Sequence, residues 1–516
     1  MVHGHKLAAL GAAMAMMVAS HGAQAGKADD TVVWATASEI DTVDLYYQNL
    51  REVVIIAHQV CDTLMHRNSK TNEYEPLLAT SYKWVNDVTL DFTLRKGVKF
   101  HNGKPFGAED VAYTFNHVSK PENGAVTQLV VDWVKNVDVL AEDKVRFHLN
   151  GPTPAALEFL SGVTPIYPKG HYDKAPEVPA AEGKKRRDWG AVLPICTGPY
   201  KITKFVPGQT VVMEKNPDYF KDGPKGTPRI GKLVFRTIAD TEAQVAELMT
   251  GGIDWIWGVP KDNADQFARV PNLTVKQAPT MRLSFLSLDA AGRSGNNPLK
   301  DVRVRRAINY AIDRKAIASN LVGSAAEVMM AACYSSQFGC TADVPQYDYN
   351  PAKAKALLAE AGYPNGFSIP IYAYRDRSYT EAVIGYLRQV GINADLKFLQ
   401  WRALRPILQT GKAELAHLSW GSQAINDASA SVSNYFKQST DDYAMDPQVK
   451  TWLDVADSST DPATRKENYK KALTRIADQA YWVPLFSYAR YYAYTSDLNF
   501  EPTPDELANF YASSWK

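Results

Sequence analysis

The stretch from Asp91 to Phe115, DFTLRKGVKFHNGKPFGAEDVAYTF, limits what this chain can fold into more than any other. Phe92 and Leu94 alternate with Thr93 and Arg95, the pattern of a half-buried strand. Lys96-Gly97 breaks that run. Val98 and Phe100 then alternate with Lys99 and His101 as a second short strand, and Asn102-Gly103 is a strong turn signal. Ala108-Glu109-Asp110 opens a helix with Val111, Phe115 and Val118 on its apolar side. The acidic first turn suits the positive end of the helix dipole. A phosphate-cradling loop over Gly97 to Lys104 is excluded, because the glycine spacing is one residue too long and Pro105 replaces the hydroxyl residue.

Within this stretch, LRKGVKFHNGKPFGAEDV resembles the signature of bacterial extracellular solute-binding protein family 5. Its members are periplasmic receptors of peptide, nickel and related ABC importers. Gly107 stands where the family usually has Thr or Ser as helix N-cap, and Gly is an acceptable N-cap. The likeness recurs in LATSYKWVND, in CTGPYKI (Cys196 in place of a Gly), in EKNPDYF, in AQVAELMTGGIDW, in DVRVRRAINYAIDR and in NPAKAKALLAEAGYPNGF. It spans about residues 30–500.

The resemblance implies an α/β, two-lobed periplasmic-binding-protein fold of the cluster C type, with an extra small domain on the first lobe. Residues 26–65, 186–282 and 486–516 would build the first lobe, 66–185 the extra domain and 283–485 the second lobe. It also implies a ligand cleft between the lobes, hinge closure over a peptide or small-molecule ligand, and delivery to ABC importer membrane subunits. A monomer without cofactor or metal is expected. Peptides, opine-like or sugar-phosphate conjugates and metal chelates all occur as ligands in the family.

Residues 1–25 read as a secretory signal peptide: Lys6 near the start, an apolar run from Leu7 to Ser20, and Ala23-Gln24-Ala25 as a small-x-small cleavage site. No cysteine precedes Cys61, so no lipid-attachment residue stands at that point. A periplasmic protein without a membrane anchor is expected. Without Lys6, 56 basic residues balance 56 acidic ones, which argues against nucleic acid as the partner. About 490 remaining residues exceed one ordinary core, so two or three domains are expected. Neither GxSxG nor HExxH occurs, so the alternative of a secreted hydrolase has no nucleophile or metal motif behind it.

Cys333 and Cys340 flank a short turn-rich loop and are expected to form a disulfide in an oxidising compartment. Cys61 and Cys196 could pair or sit as buried free thiols.

Ligand-contact candidates follow from family position. Glu39 and Ile40 lie in the loop after the first strand, Trp255 and Trp257 start a strand after a helix capped by Asp240, and Tyr374, Arg375, Trp401 and Arg402 lie in the second lobe. The segment SWGSQAIND is the most informative about ligand. In peptide-binding relatives a Trp here is followed by Ala-Asp-Tyr, whose Asp pairs with the ligand's α-ammonium. Here Trp420 and Gly421 match, but Ser422-Gln423-Ala424 stands where the Asp is expected, and the next carboxylate is Asp427. Gln423 is neutral and cannot supply the charge-assisted bond a buried ammonium needs. Either Asp427 takes over, or the ligand has no free amino terminus.

Overall fold

The computed structural model describes residues 26–126, 130–179 and 185–516. The signal peptide expected over residues 1–25 lies outside the described residues, as do the first residues of the charged run 182–188. The rest of that run, Lys185–Arg187, forms an exposed strand paired antiparallel with Glu177–Pro179. The side chains of Arg402 and Gln423 also lie outside the described residues.

One 10-stranded sheet runs through the molecule. Its order is Tyr200–Val206, Thr210–Lys215, Lys232–Thr237, Thr31–Thr36, Trp255–Trp257, Trp482–Thr495, Leu273–Leu288, Leu415–Trp420, Phe367–Ala373 and Ile392–Phe398. The two long central strands, Leu273–Leu288 and Trp482–Thr495, pair with each other over most of their length. One end of the pair joins the first lobe and the other the second, and the expected boundaries at residues 282 and 485 fall inside these strands. The pairing register breaks between Pro279 and Leu283. Pro279 has no N–H to give to the ladder, Thr280 Oγ1 bonds the Tyr488 carbonyl at 2.9 Å, and the Met281 N–H bonds the Pro504 carbonyl.

The hydrophobic cores divide the same way. Trp34, Phe235 and Trp255 anchor the first lobe, and Phe285, Tyr469 and Trp482 the second. Ile425 and Ala430 of the second lobe pack against first-lobe core residues, so the lobes are in contact.

The Asp91 to Phe115 stretch belongs to a four-stranded antiparallel sheet: Ala79–Asn86, Thr89–Leu94, Lys144–Leu149 and Val134–Ala141. Helix Ala108–Val118 covers it through Val111, Phe115 and Val118, with the Phe115 and Phe147 rings 4.8 Å apart. Burying each such side chain stabilises by about 1.5–3 kcal/mol. Gly107 is the N-cap, and the Asp110 carboxylate accepts its N–H at 2.8 Å. The second short strand is reduced to one bridge, Lys99 to Pro105.

The four-residue spacing of Ile56, Val60 and Leu64 predicts a helix over Val53 to Leu64, but the helix runs Arg51–Val60 and ends four residues earlier, with Cys61 in extended conformation. Cys61 is bonded to Cys196, and Cys333 to Cys340. Two residues past Cys196, a Cβ on Gly198 would lie 2.5 Å from the Val60 carbonyl carbon, so only glycine fits that approach. Its N–H bonds the Val60 carbonyl at 3.0 Å.

Two local expectations are corrected. In helix Val302–Ala311 the apolar spacing of Val304, Ala307, Ile308 and Ala311 predicts a solvated face for Arg303, Arg305 and Arg306, but Arg305 is buried and donates to the carbonyls of Leu299, Lys300 and Gln479. In the helix capped by Asp240, Val245, Leu248 and Met249 are expected to form the apolar face and Gly251 to end it; helix Thr241–Thr250 has that cap and that end, but Met249 is exposed.

Candidate functional site

At the register break, the crossing strands present Arg282 and Arg490 to the space between the lobes. Helix Arg51–Val60 adds Arg51 at its first position, and the C-terminal segment adds Glu506. Glu506 is 3% exposed and sits at φ 59°, in the left-handed region. Its Oε1 accepts from Arg490 Nε at 2.8 Å and its Oε2 from Arg282 Nη2 at 3.3 Å, with Arg51 Nη2 3.7 Å away. Burial alone would raise this carboxyl, but Arg282, Arg490 and Arg51 outweigh burial and hold it well below the usual carboxylate range. Three guanidinium groups therefore share one carboxylate. Arg282 Nε, also buried, has no hydrogen-bond partner among the described residues.

The second lobe closes on this cluster through Gly421. A Cβ there would lie 2.9 Å from Arg282 Nη2, so glycine lets the guanidinium approach. Next to it, Ser422 and Ala424 take positive φ values of 49° and 66°, a strained turn for non-glycine residues. The Ser422 hydroxyl is buried without a hydrogen-bond partner among the described residues. Trp420 is fixed by its indole N–H to the Ala430 carbonyl at 2.6 Å. Tyr374 bonds Ser419 Oγ at 2.9 Å and packs on Trp401, with ring centres 4.7 Å apart. Arg375 lies over the Tyr374 ring at 5.7 Å, close enough for its charge to act on Arg282.

On the first lobe, Arg490 lies over the Trp257 ring at 5.6 Å. Both border a cavity of about 260 Å³ with Thr36, Ser38 and Glu52. It opens at the carboxyl ends of strands Thr31–Thr36 and Trp255–Trp257, the end of a parallel sheet where α/β proteins hold ligands.

Trp257, Arg375 and Gly421 thus lie around the arginine cluster, Trp420 and Ser422 flank Gly421 in the chain, and Tyr374 lies beneath Arg375. Trp401 is at the rim, 44% exposed. Glu39 is exposed on its loop. Ile40 and Trp255 are fully inside the first-lobe core, Trp255 among Trp34, Tyr492, Phe500 and Phe510, so neither forms a cleft wall. Asp427 is buried within the second lobe. It accepts from Arg465 at 2.7 Å, from Ser429 Oγ at 2.7 Å and from Tyr469 OH at 3.2 Å. Its charge is already matched by the Arg465 guanidinium, and Oδ1 also accepts the Ser429 N–H at 3.0 Å.

Sequence reasoning missed Arg51, Arg282, Arg490 and Glu506. Two carried a signal. Arg490 is the one charge in the aromatic strand SYARYYAYT. Arg51 puts a cation at the positive end of a helix dipole, where an acid is usual. Glu506 had none.

Residues 73–443 match the family described as bacterial extracellular solute-binding proteins, family 5 Middle. The chain belongs to this family. Its relatives include the glutathione-binding protein GsiB of Escherichia coli K12, 26% identical over 507 residues, covering 94% of this chain and 93% of GsiB. Family-type folds recur among solved structures. HbpA2 of Haemophilus parasuis superposes with a TM-score of 0.79 at 24% identity, covering 94% of this chain and 100% of the other. NikA of Brucella suis, solved with Fe(III)-EDTA, superposes at 0.81 and 22%, with the same coverage. These likenesses establish the periplasmic-binding-protein fold. Among the described residues, no helix is long and apolar enough to cross a membrane.

Proposed function

We propose that the protein is a monomeric periplasmic receptor that binds a small peptide-like solute bearing carboxylates and hands it, unchanged, to an ABC importer. The observation that carries this reading is the triad of Arg51, Arg282 and Arg490 around the single carboxylate of Glu506 between the lobes. A buried surplus of guanidinium groups is costly unless an anion completes it, and guanidinium forks suit carboxylates. The relatives named as glutathione-binding support the same class, since glutathione carries two carboxylates and one ammonium. Asp427, engaged with Arg465, leaves the ammonium without an obvious partner. That favours ligands held mainly by their acidic ends.

Binding would run through closure. The register break at Pro279–Leu283 acts as the hinge, solute bridges Arg282 and Arg490 to the Gly421–Ser422 turn, and enclosure removes water from the contacts. The importer then recognises the closed form in preference to the open one.

The test is mass spectrometry of whatever the native protein carries, followed by calorimetry with reduced glutathione and with dipeptides. Carboxylate-bearing species should be recovered with unaltered mass, and amidating their carboxyl groups should abolish binding. Recovery of neutral or cationic solutes only would sink the reading.

A further inference from the structure

A second set of contacts crosses between the lobes next to the arginine cluster, and none of its residues belongs to that cluster. Glu158, in helix Ala156–Gly162, is buried on the first-lobe side. Its Oε1 accepts the backbone N–H of Asn426 at 2.7 Å, and its Oε2 accepts from Tyr74 OH at 3.0 Å. Arg67 Nη1 lies 3.4 Å from the same Oε1. Arg67 Nη2 donates to the Ala424 carbonyl at 3.1 Å and to Asp505 at 3.2 Å. One guanidinium and one carboxylate thus grip the backbone of residues 424–426 across the lobe boundary.

Two short segments connect this grip to the arginine cluster. Gly421 meets Arg282, and Ala424 and Asn426, a few residues on, take the grip. Glu506 holds the three arginines, and Asp505, its neighbour, holds Arg67. The gripped turn is also backed from within the second lobe. Gln337 donates to the Ile425 carbonyl at 2.9 Å and the Phe338 N–H to the Asn426 carbonyl at 3.0 Å. Both lie in the loop closed by Cys333–Cys340. Two rigid supports therefore meet on a turn already held in left-handed conformation.

We infer that Arg67 and Glu158 are positioning residues: they clamp the 424–426 backbone and so set the closed arrangement in which Gly421 meets Arg282. The inference rests on the reading that the lobes close over a solute. Both partners on the second-lobe side are backbone atoms, so the clamp senses where the turn is and not which side chains it carries. It forms only when the turn is seated, and a solute that fails to seat it gains no help from the clamp. Occupancy and closure are thereby coupled through residues that need not touch the solute.

The experiment uses the full mature protein with spin labels on Lys83→Cys and Lys471→Cys, exposed positions on the two sides of the boundary. Interlobe distances are measured by pulsed electron resonance without solute and with reduced glutathione as probe. Ligand-free wild type should contain a closed population. Glu158→Ala should lose it and release glutathione roughly 10-fold faster or more, because the Asn426 N–H and Arg67 are left unpaired. Glu158→Gln should retain much of the closed population, since its amide oxygen still accepts from Asn426; a merely structural role in the helix would not separate these two variants. Arg67→Lys, which loses the fork to Ala424 and Asp505, should resemble Glu158→Ala and serves if the latter does not fold. A wholly open ligand-free wild type, or a folded Glu158→Ala that closes as fully as wild type, overturns the clamp. Failure of glutathione to bind wild type counts against the proposed ligand class, while the ligand-free distances still decide the clamp.

Discussion

Two buried carboxylates on either side of the lobe boundary look alike in sequence and behave differently in structure. Asp427 meets one guanidinium, Arg465, whose charge it matches, and two hydroxyls complete it. Arg465 is itself covered by the rings of Phe338 and Tyr469. Glu506 meets three guanidinium groups that it cannot neutralise, and one buried Arg282 nitrogen has no hydrogen-bond partner among the described residues. The first arrangement is complete and holds the second lobe together. The second is short of negative charge, and on the function proposed above a ligand carboxylate completes it. Counting partners, more than locating an acid near the expected position, separates a binding centre from a structural one.

The largest effect should come from breaking the complete pair. Arg465→Ala leaves Asp427 buried and uncompensated, at a cost of about 3–5 kcal/mol. Urea unfolding should show an earlier midpoint with unchanged slope, while the Kd of the folded fraction for its solute moves less than tenfold. A loss of affinity without a loss of stability would put the ligand centre at Asp427 after all.

Arg490→Ala should show the opposite division. Glu506 keeps Arg282 and Arg51, so stability changes little. A ligand carboxylate loses a charge-assisted bond worth about 2–3 kcal/mol, roughly 100-fold in Kd. Calorimetry on the carboxylate solute checks this, and an unchanged Kd would make the arginine cluster a structural feature like its counterpart.

The same contrast explains what could be read in advance. Local chemistry announced itself: Asp240 and Asn350 cap the helices expected of them, and the helix after Gly107 buries Val111, Phe115 and Val118. Trp420 and Gly421 were found because a short motif places them. Arg305 was misread because the carbonyl of Gln479 that takes it out of water lies 174 positions away. Glu506 was unreadable for the same reason. Its meaning depends on two strands and a helix converging on a C-terminal turn, which no local window contains. Asp427 drew attention for being a carboxylate near the right place, and nothing nearby in sequence revealed that Arg465 already occupied it.

The pH response sharpens the comparison with a smaller effect. His417 is buried on strand Leu415–Trp420, between the hydroxyls of Ser284 at 2.8 Å and Thr380 at 2.7 Å. A neutral imidazole, one nitrogen donating and one accepting, satisfies both hydroxyls. Burial pulls its pKa down to about 4, against an ordinary value near 6.5. Between those values the unfolded chain takes up the proton and the folded one does not. The His417 contribution is therefore whole above about pH 6.5, falls by about 1.4 kcal/mol per pH unit below it, and levels off below about pH 4. Glu506, held far below the usual carboxylate range, stays ionised across this window, and its stabilising share is lost only at much lower pH. The His417 share of stability should thus drop from pH 7 to 5 while the affinity for a carboxylate solute stays nearly flat. His417→Gln, compared with wild type by urea unfolding at both pH values, should remove about one proton's worth of that slope. If affinity instead falls in step with stability, the strand that carries His417 to Trp420 transmits its protonation to the cleft, and the two regions are not separable.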